Sequence, residues 1–337
     1  MPRTIRRCAA RSSLPARRDF SLTDLALSTL VDEGCALQSV PVSRDGSYHA
    51  LDPLPGPTEG LLLIDKPPGI TSHDAVSIVR RTTRVKKVGH AGTLDPMATG
   101  LLVLGLGRAT RLLRFLASLP KVYEGTFRLG IETTTLDAEG DVTRVAGVAV
   151  TDTEVARAMS AKLGASLQAP PAFSAVKVGG RKLYDAARAG ERLVAEPRPI
   201  LVERFEPTER RGDDVDFLAV VSGGTYVRVL AADVGRALGY GAHLTRLRRT
   251  AIGAFDVADA RAPDAEPMVL PLERAVAHLP RVDLDPEESR VASHGSILGP
   301  AGIDGPHAVF DPGGALIGIY VDDGSKARPE VVLARLK

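Results

Sequence analysis

The sequence has no tryptophan, and only 4% of its 337 residues are aromatic. Its two cysteines, Cys8 and Cys35, both fall in the first 35 residues. The main body is therefore free of thiols. This excludes a disulfide framework, a thiolate zinc site and a cysteine nucleophile there. Enzymes that attack a pyrimidine ring through a cysteine thiolate are excluded with them. No apolar run reaches the roughly 18 residues that cross a membrane, and the sparing use of cysteine suits a reducing cytosol. A large excess of either charge is also missing: 43 Lys and Arg face 41 Asp and Glu, for a formal net of +2. That rules out a uniformly basic nucleic-acid coat but leaves local patches open.

What is present is an ordinary globular composition, 44% hydrophobic and 25% charged. The length suits one large domain plus a small one. Residues 1–19 carry six arginines and a single acid, Asp19, mixed with Ser and Ala. This composition is like that of an organellar transit peptide. The plainer reading, adopted here, is a disordered or dispensable N-terminal extension spanning 1–57. The run LDPLPGPT at 51–58 holds three prolines and reads as the linker that closes it.

The block from Gly60 to Leu119 carries the first chemical signal. Leu61 to Ile64 read as a buried strand, ended by Pro67, Pro68 and Gly69. Thr71 stands three residues before Asp74, the spacing of a capping box, and predicts a helix over about 72–82. Residues 70–119 hold eight Lys and Arg against two acids, a local net of +6. Arg80, Lys86 and Lys87 lie in the densest part. Such a patch can track phosphates, although charge runs often only solvate a helix face. Alone at its end stands Asp95, between Gly92 and Pro96 and ahead of the apolar strand Leu101 to Leu106. An Asp before Pro commonly serves as a turn residue. A carboxylate at the mouth of a basic segment can equally be a nucleophile or base beside a bound polyanion.

The run LLLIDKPPGITSHDAV, followed by KKVGHAGTLDPMATGLL, closely resembles the bacterial tRNA pseudouridine synthase B (TruB) family. Three further stretches match in order: KVYEGTFRLGIETTTLDAEGDV at 121–142, PPAFSAVKVGGRKLYDAARAGE at 170–191, and SGGTYVRVLAADVGRALGYGAHLTRLRRTAIGAF at 222–255. The resemblance covers about 58–275. It implies an enzyme that isomerises uridine 55 in the T-loop of tRNA to pseudouridine, without a cofactor, by detaching uracil from C1′ and rejoining it through C5.

The resemblance also implies roles. Asp95 falls on the family's catalytic aspartate. It could attack C1′ as a glycosidase carboxylate does, remove the 2′-hydrogen, or attack the uracil ring. Tyr123 falls on a tyrosine that stacks on the flipped base. From the residues alone, Tyr123, Phe127, Leu129 and Ile131 share one strand face. Arg228 alternates with Val227 and Val229 as if at the start of an apolar strand. It needs a carboxylate partner: Asp95 by resemblance, Asp233 as a local alternative. His90 resembles a loop histidine that packs against T-loop bases. The segment 170–196 resembles an RNA-gripping insertion carrying Lys177, Arg181 and Lys182, with Gly179-Gly180 as its hinge. Arg246, Arg248 and Arg249 form a second phosphate-contact group, and Lys66 joins the candidate RNA contacts.

After Pro280 the pattern turns to short β segments (Ser296 to Leu298, His307 to Phe310, Leu316 to Val321, Val331 to Ala334) separated by turn residues. The expected organisation is a pseudouridine synthase catalytic domain at 58–279 and a PUA-like RNA-binding module at 280–337. The expected fold class is α+β: a mixed, largely antiparallel central sheet with flanking helices, plus a small C-terminal β-barrel-like module. The expected partner is the T-arm of tRNA, with no membrane and no obligate protein partner, for a cytoplasmic monomer. Two rivals stand beside it: a guide-RNA-dependent relative, against which the insertion at 170–196 argues, and a non-catalytic RNA-binding or RNA-folding protein.

Overall fold

The structure is a computed structural model that describes residues 58–191 and 193–333, together with the backbone of the short strand Ile5–Arg6. The expectations for residues 1–57 otherwise lie outside the described residues. Six α-helices are found among the described residues: α1 (Ser72–Thr83), α2 (Leu113–Ala117), α3 (Asp152–Ser160), α4 (Leu183–Arg188), α5 (Val227–Ala237) and α6 (Pro286–Ser293). None of them is long and apolar enough to cross a membrane.

The organising element is a nine-stranded mixed sheet. Its main path runs Gly60–Lys66, Thr99–Leu106, Ala242–Ile252, Lys121–Leu129, Asp214–Val221, Arg198–Arg211 and Gly164–Gln168. Pairing is antiparallel throughout except where Arg248 and Arg249 meet Thr99 and Gly100 in parallel. The α+β class with a largely antiparallel sheet is therefore the observed one.

One irregularity creates the site. The far end of Thr99–Leu106 pairs with the short strand Val88–His90, while its near end pairs with Ala242–Ile252. Residues 91–98 thus loop out where the strand changes neighbours. The backbones are close enough there to require glycine. A Cβ on Gly100 would sit 2.3 Å from the Arg249 carbonyl oxygen, and the φ of +99° is itself left-handed.

The continuous apolar run of Gly60–Lys66 is explained by burial on both faces. Leu61 and Leu63 pack with Leu101, Val103 and α2, whereas Leu62 and Ile64 pack with Leu102, Leu104 and Val76 and Val79 of α1. Each such side chain, once fully buried, contributes roughly 1.5–3 kcal/mol of transfer free energy. α1 begins as its sequence predicts, with Thr71 and Asp74 closing a reciprocal capping box.

Three expectations change. Arg228 lies in the first turn of α5, not in a strand. Val227, Leu230, Ala231 and Val234 form a buried helical face, and that longer period outweighs the brief alternation around Arg228. Gly179 and Gly180 are the two left-handed residues of a tight turn joining Lys177–Val178 to Arg181–Lys182, so they shape a hairpin where a hinge was expected. Ile131 opens a separate strand, Ile131–Thr133, after Gly130, and does not continue the face of Tyr123, Phe127 and Leu129.

The C-terminal residues form a second sheet ordered Ile5–Arg6, Arg281–Asp283, Pro306–Phe310, Leu316–Asp322 and Ala327–Val332. Ser296 to Leu298, expected as a strand, contributes only an isolated bridge from Leu298 to Ala327. The acids near 283–288 do local work: Asp285 caps α6, and Glu287 and Glu288 occupy its first turn. This sheet shares a core with the large one through Ala308, Phe310, Ile319 and Val331. Arginines from the basic block secure the junction. Arg108 bonds to Glu59 and the Leu333 carbonyl, Arg111 to the Val332 carbonyl, and Arg114 to Glu330 at 2.8 Å. Three of the eight cations behind the local +6 are thus engaged in packing.

Candidate active site

The loop at 91–98 is held from several directions. Ala91 N–H donates to the Val103 carbonyl at 2.9 Å. The Ser72 hydroxyl, at the start of α1, accepts from Leu94 N–H at 2.9 Å and donates to the Leu94 carbonyl at 3.1 Å. Pro96 O receives Gly69 N–H at 2.9 Å and the Lys66 ammonium at 3.1 Å. Both neighbours of Asp95 are therefore anchored, and its backbone is fixed before any ligand arrives.

Lys66 is fully buried, its ammonium also donating to the Pro67 and Ile70 carbonyls at 3.0 and 2.7 Å. Burial pulls its pKa down to about 8, partly opposed by Glu139 and Asp95. Expected as an RNA contact, Lys66 instead cross-links the loops that carry Asp95. A cation enclosed by three carbonyls has no donor left for a phosphate.

Arg228 is buried, with its side chain 5% exposed, and faces two carboxylates. Its Nη1 donates to Asp137 Oδ2 at 3.2 Å and to the Thr135 carbonyl at 3.1 Å. Its Nη2 donates to the Phe173 carbonyl at 2.6 Å. Its Nε lies 3.5 Å from Asp95 Oδ2, an ion pair without a hydrogen bond. The expected pairing with Asp95 is present, but the hydrogen-bonded partner is Asp137. Asp233 pairs elsewhere, with Lys162 and Arg236. Asp137 is 2% exposed, and its carboxylate accepts from the Thr135 hydroxyl and from Glu139 N–H. Upstream of α5, Gln168 grips the backbone of Tyr226, accepting from its N–H at 2.7 Å and donating to its carbonyl at 3.2 Å. That clamp sets where α5 begins, and hence where Arg228 points.

The Asp95 carboxyl keeps 36% of its side chain exposed and opens onto a cleft of about 650 Å³. Burial raises its pKa above the ordinary 3.8; Arg228 and Lys66 pull it back, while Asp137 pushes it up. Tyr123 lines the same cleft, 6% exposed, in register with Ala219 and Arg249 on the flanking strands. Tyr226, Val227 and Leu247 add apolar wall, and Ser174 to Val176 bring in the base of the insertion. The volume lies within the range of small-ligand sites. Such a cleft can hold one unstacked base against a ring, with a carboxylate beside it.

His90 stands outside the cleft lining, its ring edge-on to His73 with centroids 5.6 Å apart. Burial, then the neighbouring His73 and Arg249, lower its pKa. Arg80, Lys86, Lys87, Lys177, Arg181 and Lys182 are exposed; Arg80 is tied to the Val88 carbonyl and Arg181 to Glu191. The Arg246, Arg248 and Arg249 group divides. Arg246 is exposed, Arg248 makes a bidentate pair with Asp65 at 2.8 and 2.9 Å, and Arg249 is 1% exposed. Alternation along Ala242–Ile252 sends Arg246 and Arg248 to one face and Arg249 to the other.

Sequence reasoning missed Asp137, Gln168, Ser72 and Lys121, the last of which lines the cleft. Asp137 had a faint signal, an acid in a turn-rich TTLDAEGD run. The other three carry none before folding.

Three family models tile the chain: TruB family pseudouridylate synthase (N terminal domain) at 80–227, tRNA pseudouridylate synthase B C-terminal domain at 228–266, and tRNA Pseudouridine synthase II, C terminal at 279–334. The protein named tRNA pseudouridine synthase B from Mycobacterium sp. (strain KMS) is 45% identical over 284 residues, covering 81% of this chain and 96% of that one. The chain belongs to the TruB family of pseudouridine synthases. Its similarity to the tRNA pseudouridine synthase B of Corynebacterium aurimucosum is 43% identity, covering 79% of this chain and 93% of that protein. Among solved structures, a Cbf5-Nop10-Gar1 complex matches with a TM-score of 0.64 at 28% identity, covering 82% of this chain and 86% of that one. An H/ACA RNP bound to a substrate RNA containing 2′-deoxyuridine matches at 0.62 and 26%, covering 82% and 85%. Family membership makes this a tRNA-modifying, RNA-binding pseudouridine synthase with the fold of that group.

Proposed function

We propose that the chain isomerises uridine 55 in the T-loop of tRNA to pseudouridine, with Asp95 as the catalytic carboxylate. One observation carries this reading: Asp95 opens onto a cleft walled by Tyr123 while its inner side meets a buried guanidinium. The uridine leaves its stack and enters the cleft, and Tyr123 supplies the ring beneath it. Arg228 favours the ionised form of Asp95 and, held in turn by Asp137, cannot swing away. An ionised carboxylate at this place serves attack on C1′, removal of the 2′-hydrogen or attack on the ring alike. The exposed cations at 80–87 and 177–182 approach the T-arm backbone, and His90 meets the splayed bases. The protein works alone. Near-complete coverage of relatives named tRNA pseudouridine synthase B supports this over a guide-RNA-dependent role, and the insertion at 170–196 supplies RNA contacts of its own.

The test maps the product. A tRNA transcript is incubated with the protein and each pseudouridine is located by carbodiimide adduct and primer extension. A stop attributable to position 55, lost when that uridine is replaced by cytidine, is the expected result. Pseudouridine elsewhere in the same tRNA, with position 55 untouched, would overturn the site assignment.

A further inference from the structure

Among the described residues, two buried cations in the cleft have no carboxylate partner. Lys121 is 5% exposed and Arg249 is 1% exposed, and both line the cleft that Asp95 opens onto. The Lys121 ammonium donates to the carbonyls of Ala117 and Leu119 at 2.8 and 2.7 Å. Arg249 donates from Nε to the Leu101 carbonyl at 2.7 Å and from Nη2 to the Gly92 carbonyl at 3.1 Å. All four acceptors are neutral. Among the described residues no acid lies within ion-pair reach of either side chain, whereas Arg228 has two and Arg248 has one. The charged group that Lys121 feels most is Arg249 itself, a second cation. Buried charge left uncompensated is costly, and a cleft that keeps two such groups together is built for an anion.

The geometry leaves room for one. The two cations converge on Gly92, where a Cβ would lie 3.8 Å from Arg249 Nη1 and 3.9 Å from Lys121 Cε. Gly92 has a φ of +127° and no side chain to fill that space. Lys121 keeps a third N–H and Arg249 keeps its Nη1 donors beyond the carbonyls they already serve. Lys121 and Tyr123 lie two residues apart on one strand, about 7 Å, and Arg249 is the cross-strand partner of Tyr123. A base resting on Tyr123 therefore carries its own backbone linkage within reach of both cations.

We propose that Lys121 and Arg249 form an anion site that takes a phosphodiester flanking the flipped uridine. The proposal rests on the reading of Asp95 and Tyr123 given above. It assigns the phosphate recognition inside the cleft to two residues distinct from the exposed cations outside it.

A charge-deletion cycle tests it. Wild type and Lys121→Gln are titrated with a T-stem-loop RNA, either native or carrying a neutral methylphosphonate 5′ or 3′ of the target uridine. The glutamine amide can still donate to the neighbouring carbonyls, and Arg249→Lys serves as a charge-retaining companion. Wild type should bind one of the two methylphosphonate RNAs about tenfold more weakly than native RNA, as for loss of one charge-assisted hydrogen bond. Lys121→Gln should discriminate between them less than about twofold, and Arg249→Lys should keep most of the wild-type preference. Equal losses in wild type and Lys121→Gln for both linkages would overturn the proposal. Conversion of the native RNA by wild type is scored separately. Coupling without conversion would retain the phosphate site and refute the isomerase reading, and conversion without coupling would do the reverse.

Discussion

Asp95, Arg228 and Asp137 behave as one unit in which a single guanidinium serves two acids. Burial lifts the Asp95 carboxyl above 3.8, so it holds a proton at a higher pH than an exposed aspartate would. Protonation removes the anion that the proposed chemistry needs. Single-turnover rates should therefore fall as pH drops through that raised value, and the inflection should move higher still in Arg228→Gln, where the opposing cation is gone. An inflection unchanged by Arg228→Gln would contradict the pairing. The lone acid in a basic run was legible in the sequence, as was the need of Arg228 for a carboxylate. Asp137 was not, because it joins Arg228 across 91 residues of chain only after α5 forms. Lys66 was misread for a similar reason: beside the local carbonyls of Pro67 and Ile70, its ammonium meets the Pro96 carbonyl, 30 residues away, only in the fold.

The elements explain why the site is rigid. α1 reaches the Asp95 loop through Ser72, which is 1% exposed and exchanges two hydrogen bonds with Leu94. Ser72→Ala leaves a buried N–H and carbonyl without that partner. It should destabilise the protein by about 1–3 kcal/mol in denaturant titrations and lower turnover more than RNA affinity, because the carboxylate is displaced while the outer cations are untouched. An unchanged midpoint would show that the loop is held by other contacts. α1 was readable because its signal is local, a capping box followed by an apolar stripe. α5 was misread at its first residues, where Val-Arg-Val mimics a strand until the longer period is weighed. The Gly179-Gly180 turn shows the same limit, since two glycines in sequence do not distinguish a hinge from a hairpin. The parallel pairing of Arg248 and Arg249 with Thr99 and Gly100, which completes the split that releases the Asp95 loop, joins residues more than 100 apart and had no local signature.

At the scale of the whole molecule, the net charge of +2 conceals a division of labour among cations. Arg108, Arg111 and Arg114 bind the C-terminal sheet to the large one, Lys66 braces a loop, and Lys121 and Arg249 line the cleft. Lys86 and Lys87 remain exposed on the outside. Replacing both with Gln should weaken tRNA binding and reduce the slope of log K against log salt by about 1.4–1.8. Arg114→Ala should lower the denaturation midpoint and leave that slope unchanged. The reverse pattern would mean that the +6 block is an RNA surface throughout. Charge counting located the block correctly, but only the packing of the second sheet separates its structural arginines from its solvent-facing lysines.

Release of tritium from uridine C5 tests most directly whether Asp95 performs the chemistry. With tRNA labelled at C5, wild type should release tritium as the base is rejoined through that carbon. Asp95→Asn should bind the same tRNA with little change in affinity and release none. Release by Asp95→Asn at a rate near that of wild type would show that another group performs the chemistry.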